Sequence, residues 1–328
     1  MIVARLRRRA TSRSKSMLSF DIVAQILWTS FATSSYFVLF ALAFALVLKV
    51  NRAFNFAQAA MMTVAFYAAY TCVALWGLPG WVGFAAALAA SIILAIVIEV
   101  FGFRTLRRRR ADQIFVFIFT LIVSEVVAFL AMLVFGTWPS TIFPSLFWPV
   151  TLVGNVAVSQ WDIPAVGVAV SSVVVLFGFL RFTRTGQFMV AVADNPDLAE
   201  LYGIAKQRIY LATMLTAAVL VALGMFLYGT RAQVQPTTAI DLMLFAIAAT
   251  IIGGIGNLWG AALTAVVLGV VQNSSVLFIP SEWQGFLLYL FLFVAIVFLP
   301  NGVKLPARRR LTRKTVAPDL VGAGSQES

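Results

Sequence analysis

Long apolar runs, punctuated by short polar breaks, make up most of this chain. They lie near 22–48, 54–76, 80–103, 113–135, 163–180, 209–229, 239–252, 257–279 and 283–299. Several exceed the ~20 residues that carry an α-helix across a bilayer. A transmembrane β-barrel would instead need alternating segments of about ten residues, which are absent. The breaks carry turn formers: Gly77, Pro79 and Gly80; Pro139, Pro144 and Pro149; Pro236; Pro280; Pro300 and Gly302. The pattern predicts an all-α, polytopic membrane helix bundle of about eight to ten transmembrane or half-membrane helices. The run 239–252 is short for a full span and reads as a half-helix.

Composition agrees: 62% of the 328 residues are hydrophobic and 11% charged, against roughly 25% charged in soluble domains. A net charge of +12 could point to nucleic acid, but its distribution argues against that partner. Of 24 Lys and Arg, six lie in 1–16, five in 104–110, four in 181–208 and six in 304–314. Short basic clusters beside apolar runs are the positive-inside pattern. They predict a cytoplasmic face for 104–110, 181–208 and 304–314. The stretch 136–162 has Trp138, Trp148 and Trp161 but no Lys or Arg, which predicts an external interfacial loop.

Three units follow: a basic tail 1–20, read as cytoplasmic from its charge; a transmembrane domain 21–303 with a cytoplasmic loop 183–207; and a basic tail 304–328 whose later Gly and Ser favour disorder. The first apolar run is too long for a cleavable signal peptide. Helix parity sets a problem at the N-terminus. Three runs separate tail 1–20 from the 104–110 cluster. Either the N-terminus lies outside against its charge, or an early segment is re-entrant or broken, with Lys49–Asn55 the natural break.

The chemistry available is narrow. There is no histidine and one cysteine, Cys72, so imidazole metal sites and an intramolecular disulfide are excluded. No nucleophile–base or carboxylate pair suggests catalysis, and neither a catalytic nor a metal site is predicted. Glu125, mid-run, is costly in a membrane and is a functional candidate by default; a partnered or protonated glutamate in a helix contact is the plainer reading. Glu99, near the basic end of its run, is expected to pair with Arg104 or to snorkel.

Two polar interruptions remain. In Lys49–Gln58, the residues Asn51, Asn55 and Gln58 fall at i, i+4 and i+7, one face of a helix; an interfacial turn and a pathway role are both open. In Gly253-Gly-Ile-Gly-Asn-Leu-Trp-Gly260, Gly256 and Gly260 form a Gly-x-x-x-Gly pair suited to close packing. Alternatively Gly253, Gly254, Gly256 and Asn257 interrupt a helix at membrane depth, as at transporter binding sites. Asn55 and Asn257 each open a long apolar helix, a weak pointer to an inverted internal repeat.

The segment Ala191–Ile204 is a polar island. Asn195 reads as an N-cap, Pro196 as the first helical residue and Gly203 as the stop. Asp197 and Glu200 lie in the early turns, where the helix dipole favours them. Leu198, Leu201 and Tyr202 fall on one stripe. Such a short helix is not stable alone; it is either a frayed solvated turn or a docking element. If it docks, Asp194 and Glu200 should face a partner's basic residues or water.

These elements together resemble the permease subunits of branched-chain amino acid ABC importers, particularly the first of their two permease types, over roughly 25–303. Asn55-Phe56-Ala57 resembles that family's Asn-Phe-Ala-His-Gly-Glu segment. Ala193–Ile204 resembles its cytoplasmic coupling loop. Ile252-Gly-Gly-Ile-Gly-Asn-Leu-Trp-Gly-Ala261 and Leu299-Pro-Asn-Gly-Val303 resemble its glycine-rich and closing motifs. The chain departs from the family at Ala57-Gln58-Ala59-Ala60, which lacks the imidazole and carboxylate, and at Phe245, where many members carry lysine. The resemblance implies a multi-pass protein of a bacterial inner membrane that pairs with a second permease. Its other partners would be two ATPase subunits, which bind the ATP, and a periplasmic or lipid-anchored binding protein. This chain itself would carry no cofactor. It implies Asp194, Asn195, Pro196, Leu198, Glu200, Leu201, Tyr202 and Gly203 as the ATPase-coupling residues. Asn51, Asn55, Phe56, Gln58, Gly253, Gly254, Gly256 and Asn257 are the pathway candidates. The rivals are an ion-coupled secondary transporter or channel using Glu125 or Asp241, and a sugar-type ABC permease.

Overall fold

The computed structural model describes residues 2–143, 150–153, 156–159, 161–275, 280 and 283–298, with side chains from Val23 onward. The closing Leu299–Val303 motif and the 304–328 tail lie outside the described residues. So do the side chains of the basic stretch 1–20.

The chain is a helix bundle built around its first span. Helix α1 covers Ile2–Asn51. Its Val23–Asn51 part is 83% buried over its most apolar window, against 22% for the peripheral helices α5 (Gln113–Phe135) and α6 (Asp162–Phe182). A helix apolar on every side can lie buried all round, and Leu39–Val47 are almost completely enclosed. Its neighbours are α6, α9 (Lys206–Gly229), α10 (Thr238–Gly253) and α11 (Leu258–Ser275). Helix α2 (Ala57–Tyr70) continues through a π turn, Thr71–Leu75, and packs on α3 (Gly80–Val97), α5 and α9. Helix α3 runs through a second π turn, Ile98–Phe103, into α4 (Arg104–Arg108). Seven described helices are long and apolar enough to cross a membrane, and shorter apolar helices occur at Thr238–Gly253 and within α12 (Gln284–Phe298). The expected helix number is met.

The stretch 136–162 is not all irregular. It holds two strands, β1 (Val150–Val153) and β2 (Val156–Ser159), paired antiparallel with Val150 opposite Ser159. β-Branched residues make up three of four positions in β1 and two of four in β2, and the sequence between them is Gly154-Asn155, a hairpin signal. Gln25 of α1 binds this hairpin twice, accepting from the Ala157 N–H at 2.6 Å and donating to the Ala157 carbonyl at 3.0 Å. Trp28 Nε1 donates to Asp162 of α6 at 3.3 Å, and Asp162 pairs with Arg231. Arg231 follows α9, so these groups tie α1, α6 and the α9–α10 link at one end of the bundle.

The opposite end carries the basic clusters 104–110 and 181–208. From there the chain order gives direction to every helix. Helices α1, α2 and α3–α4 alternate, so Val23 stands at the hairpin end, opposite 104–110. The Lys49–Asn55 stretch is a corner between two antiparallel helices, not a break within a span. Arg52 holds the left-handed φ of +52° there.

Helices α10 and α11 correct the count of crossings. α10 descends from the hairpin end until Thr250 Oγ1 meets the Ala41 carbonyl at 3.4 Å. α11 climbs back: Ser34 Oγ reaches the Val266 carbonyl, and Asn273 Nδ2 donates to Thr33 Oγ1 at 2.6 Å. Ala41 is ten residues before the end of α1, about 15 Å at 1.5 Å per residue, whereas Gly254 is four residues beyond Thr250, about 6 Å. The corner therefore stops about 9 Å short of the basic end. The described helices α10 and α11 are thus arms of one re-entrant hairpin.

Candidate functional site: an exposed docking helix and two helix corners

The docking segment forms as its sequence dictates. Helix α8 spans Pro196–Leu201. The Asn195 side chain accepts from the N–H groups of Asp197 (3.1 Å) and Leu198 (3.0 Å), with Pro196 in the first turn. Gly203 takes φ +82°. Its N–H bonds the Glu200 carbonyl, and the Ile204 N–H bonds the Ala199 carbonyl. This pair of bonds is a Schellman stop, which a side chain with a Cβ would strain. With both ends capped, α8 is no frayed turn.

Its faces are unequal. Ala199 is buried toward the bundle, while Leu198, Leu201 and Tyr202 are 49%, 85% and 81% exposed. The acidic residues are exposed, and two of them have a partner within the chain. Lys206 Nζ lies 2.7 Å from Glu200 and 3.2 Å from Asp197, so α9 supplies their counter-charge. Asp194 is exposed, and the Arg52 guanidinium donates to its backbone carbonyl and to that of Ala193, both at 3.1 Å.

Sequence reasoning missed the element beneath. Helix α7 (Arg184–Asp194) is amphipathic and buries Gly186, Met189 and Val192. Thr183 caps it, its hydroxyl accepting from the Gly186 N–H at 3.1 Å. α7 packs on α6, α8, α9 and α1, so α8 stands on a helix that touches the central span. Thr183 three residues before Gly186 was the readable signal.

The first polar corner joins α1 to α2. Thr120 of α5 donates to the Phe54 carbonyl at 3.3 Å, and Phe56 stacks edge-on against Phe117 at 5.2 Å. Asn55 and Gln58 are completely buried. Asn55 Nδ2 has only the Met214 sulfur at 3.5 Å, and its Oδ1 has no partner. Neither amide atom of Gln58 has one, nor has either of Asn51. Buried amides left unmatched are costly. Gln58 stands where the resembling family has histidine, and it retains a polar group inside the bundle.

The second corner joins α10 to α11. Gly254 and Gly256 hold φ of +96° and +88°, which reverses the chain. The packing pair is not Gly256 with Gly260. No neighbour stands within 4 Å of a Cβ built at Gly256, whereas one at Gly253 would strike the Gly260 carbonyl and one at Gly260 would strike that of Gly253. The expected readings of this motif divide between its residues: Gly253 and Gly260 allow close approach, and Gly254 and Gly256 make the break. Asn257 is half-buried at the start of α11, its N–H bonded to the Gly254 carbonyl. Phe245, in the lysine position, is buried and stacks on Phe37 of α1 at 4.3 Å.

The intramembrane carboxylates separate. Glu99 is buried and pairs with Arg107, not Arg104, one further turn along the chain. Glu125 faces outward on α5 among Ile122, Val126 and Phe129. Asp241 is exposed at the hairpin end of α10, with Tyr289 Oη 3.5 Å away. Glu125 and Asp241 do not converge on one internal ion site. Among the described residues no group of three His, Cys, Asp or Glu could hold a metal.

The comparisons with known proteins agree with this architecture. Residues 26–296 match the family described as "Branched-chain amino acid transport system / permease component". The high-affinity branched-chain amino acid transport system permease protein LivH of Escherichia coli (strain K12) is 24% identical over 293 residues, 85% of this chain and 94% of that protein. The permease protein BraD of Pseudomonas aeruginosa, from a transport system of the same description, is also 24% identical, with the same coverage. The fructose import permease protein FruG of Bifidobacterium longum is 32% identical over 142 residues, 40% of this chain and 42% of that one. One chain of the solved structure "PsaBC from Streptococcus pneumoniae in complex with Fab" shares the fold at TM-score 0.51 and 12% identity, covering 83% of this chain and 91% of that one. With the bundle, its capped outer helix and its two corners in view, this chain belongs to the family of branched-chain amino acid transport system permease components.

Proposed function

We propose that this chain is one permease half of an ABC importer in a bacterial inner membrane, with residues 21–303 as the permease domain. Its solute is a branched-chain amino acid, the class named for LivH and BraD, or another hydrophobic amino acid or related small solute. A second permease completes the path. Two ATPase subunits bind and hydrolyse ATP, and a periplasmic or lipid-anchored protein delivers the solute. The observation that carries this reading is the exposed stripe Leu198–Leu201–Tyr202 on a short, doubly capped helix. Helix α8 enters a groove on an ATPase. Closure of the ATPase pair moves α8 and α7 as a body, and α7 passes the shift to α1 and α9, a two-state change biased by nucleotide. The partial match to FruG favours a monosaccharide as the second reading, and uptake assays with both solute classes separate the two.

The orientation is testable by labelling in a Cys72→Ala background. Thr137→Cys, at the hairpin end, reacts with a membrane-impermeant maleimide in intact cells. Gln207→Cys, at the basic end, reacts only after permeabilisation. The reverse result inverts the topology and removes the docking role of α8.

Asn55, Gln58 and Asn257 are proposed to line the path when the corners part. An unmatched buried amide costs about 1–3 kcal/mol, and transport is the reason to retain it. Gln58→Leu is therefore expected to raise the stability of the isolated permease by ~1 kcal/mol or more, yet to lower ATP-driven uptake in proteoliposomes holding the whole importer. A variant as active as wild type would remove Gln58 from the path.

A further inference from the structure

A cavity of about 200 Å³ opens between the α1–α2 corner, the end of α3–α4 and the first turn of α5. Asn51, Arg52, Phe54, Phe103, Arg107 and Gln113 line it. Its polar groups are prepared for a ligand the chain does not supply. Both amide atoms of Asn51 are buried without partners, and so is Arg107 Nε. Arg107 is fixed in place: it pairs with Glu99, and its guanidinium lies 4.6 Å from the centre of the Tyr210 ring. Arg52 is held by the Ala193 and Asp194 carbonyls. Helix α5 begins at Gln113 with no side-chain cap, since the Asp112 carboxylate makes no bond to it. The first N–H groups of α5 therefore present a positive helix end. Arg104, Arg108, Arg109 and Arg110 surround the site and are exposed. The opposing charges nearby are Asp112 and Glu99, whose Oε1 pairs with Arg107 while its Oε2 is buried without a partner.

We propose that this cavity binds a phosphate-bearing anion, and that the headgroup of an anionic phospholipid fits it. Guanidinium and amide donors converge as phosphate recognition requires. Apolar surface adjoins them: Phe54 and Phe117 are partly exposed, and Ile114, Phe115 and Ile118 continue outward along α5. A phosphate on the donors with acyl chains along α5 satisfies both surfaces, as in basic pockets between membrane helices. Arg52 would then hold the anion and the α7 carbonyls together, linking the lipid to the coupling segment. The site itself rests on the geometry above; only its link to the coupling segment rests on the proposed function.

The test is native mass spectrometry of the full-length permease with phosphatidylglycerol and phosphatidylcholine of matched acyl chains. Phosphatidylglycerol is expected to bind about tenfold more tightly, from about 1 kcal/mol per basic residue engaged. Asn51→Leu and Gln113→Leu, which leave the Glu99–Arg107 pair intact, should each reduce that preference several-fold. Arg109→Gln, on the exposed ring, should leave most of it. Displacement of the lipid by inorganic phosphate alone would keep the site and assign it to a soluble phosphate. Equal binding of the two lipids overturns the proposal. So does a preference that falls with Arg109→Gln but not with Asn51→Leu or Gln113→Leu, because general surface attraction then explains it.

Discussion

Gly260→Ala is expected to leave little folded permease, although it adds a single methyl group. The Cβ it creates points at the Gly253 carbonyl oxygen, with the Asn257 side-chain amide 2.9 Å away. The mirror change, Gly253→Ala, drives a Cβ into the carbonyl of Gly260 and the nitrogen of Ala261. Backbone stands on both sides of the contact, so no rotamer change relieves it. Overpacking costs typically 1–3 kcal/mol and more where nothing yields, a large share of a net stability of roughly 5–15 kcal/mol. The strain also falls where α10 and α11 must stay together to close the re-entrant hairpin. Gly178→Ala on α6 is the control. Its Cβ meets nothing within 4 Å, and a mid-helix Gly→Ala change gains up to about 1 kcal/mol. Fluorescence-detected size exclusion with thermal ramps would read both variants. If Gly260→Ala elutes and melts like wild type, α10 and α11 are not packed through their backbones.

That contact also marks the limit of what the sequence discloses. The breaker residues of 253–260 are legible, because positive φ is a property of glycine itself. Which two glycines touch is not, because Gly253 and Gly260 meet only after the chain has reversed between them. The same division runs through the coupling segment. The Asn195 cap, Pro196 and the Gly203 stop are local chemistry, and they read correctly from spacing alone. The Lys206 bridges to Asp197 and Glu200 cross a turn at no helical spacing, so spacing alone gave Glu200 only water or a partner's basic residues. Helix α7 was passed over because arginines at 181 and 184 make its start look like a solvated loop. The helix parity of the first three spans pointed two ways, and only the Gln25 and Trp28 contacts with the hairpin end choose between them. The all-α class was plain from hydropathy. The small β-hairpin hid inside a stretch whose prolines and tryptophans suggested irregular chain.

The stripe on α8 carries the largest expected effect on function. Leu201→Asp should detach the ATPase from an otherwise intact permease. Leu201 is the most exposed of the three stripe residues, and its side chain contributes nothing to the bundle that the substitution could damage. Burying a leucine is worth roughly 1.5–3 kcal/mol, so its loss weakens docking by a factor of about ten to a hundred, before the cost of desolvating a carboxylate. The chain's own acids cannot compensate, since Lys206 already occupies Asp197 and Glu200. Lys206→Met should matter less, because ion pairs at exposed carboxylates contribute about 0–1 kcal/mol. Asn195→Ala should fall between the two, since a lost cap costs about 0.5–2 kcal/mol and frays the helix without altering its apolar face. The measurements are retention of the ATPase on the affinity-purified permease pair and solute-stimulated ATP hydrolysis by the assembled importer. The predicted order of loss is Leu201→Asp, then Asn195→Ala, then Lys206→Met. Wild-type retention and stimulation in Leu201→Asp would mean that the apolar stripe faces water in the working protein, and the coupling role of α8 would have to be abandoned.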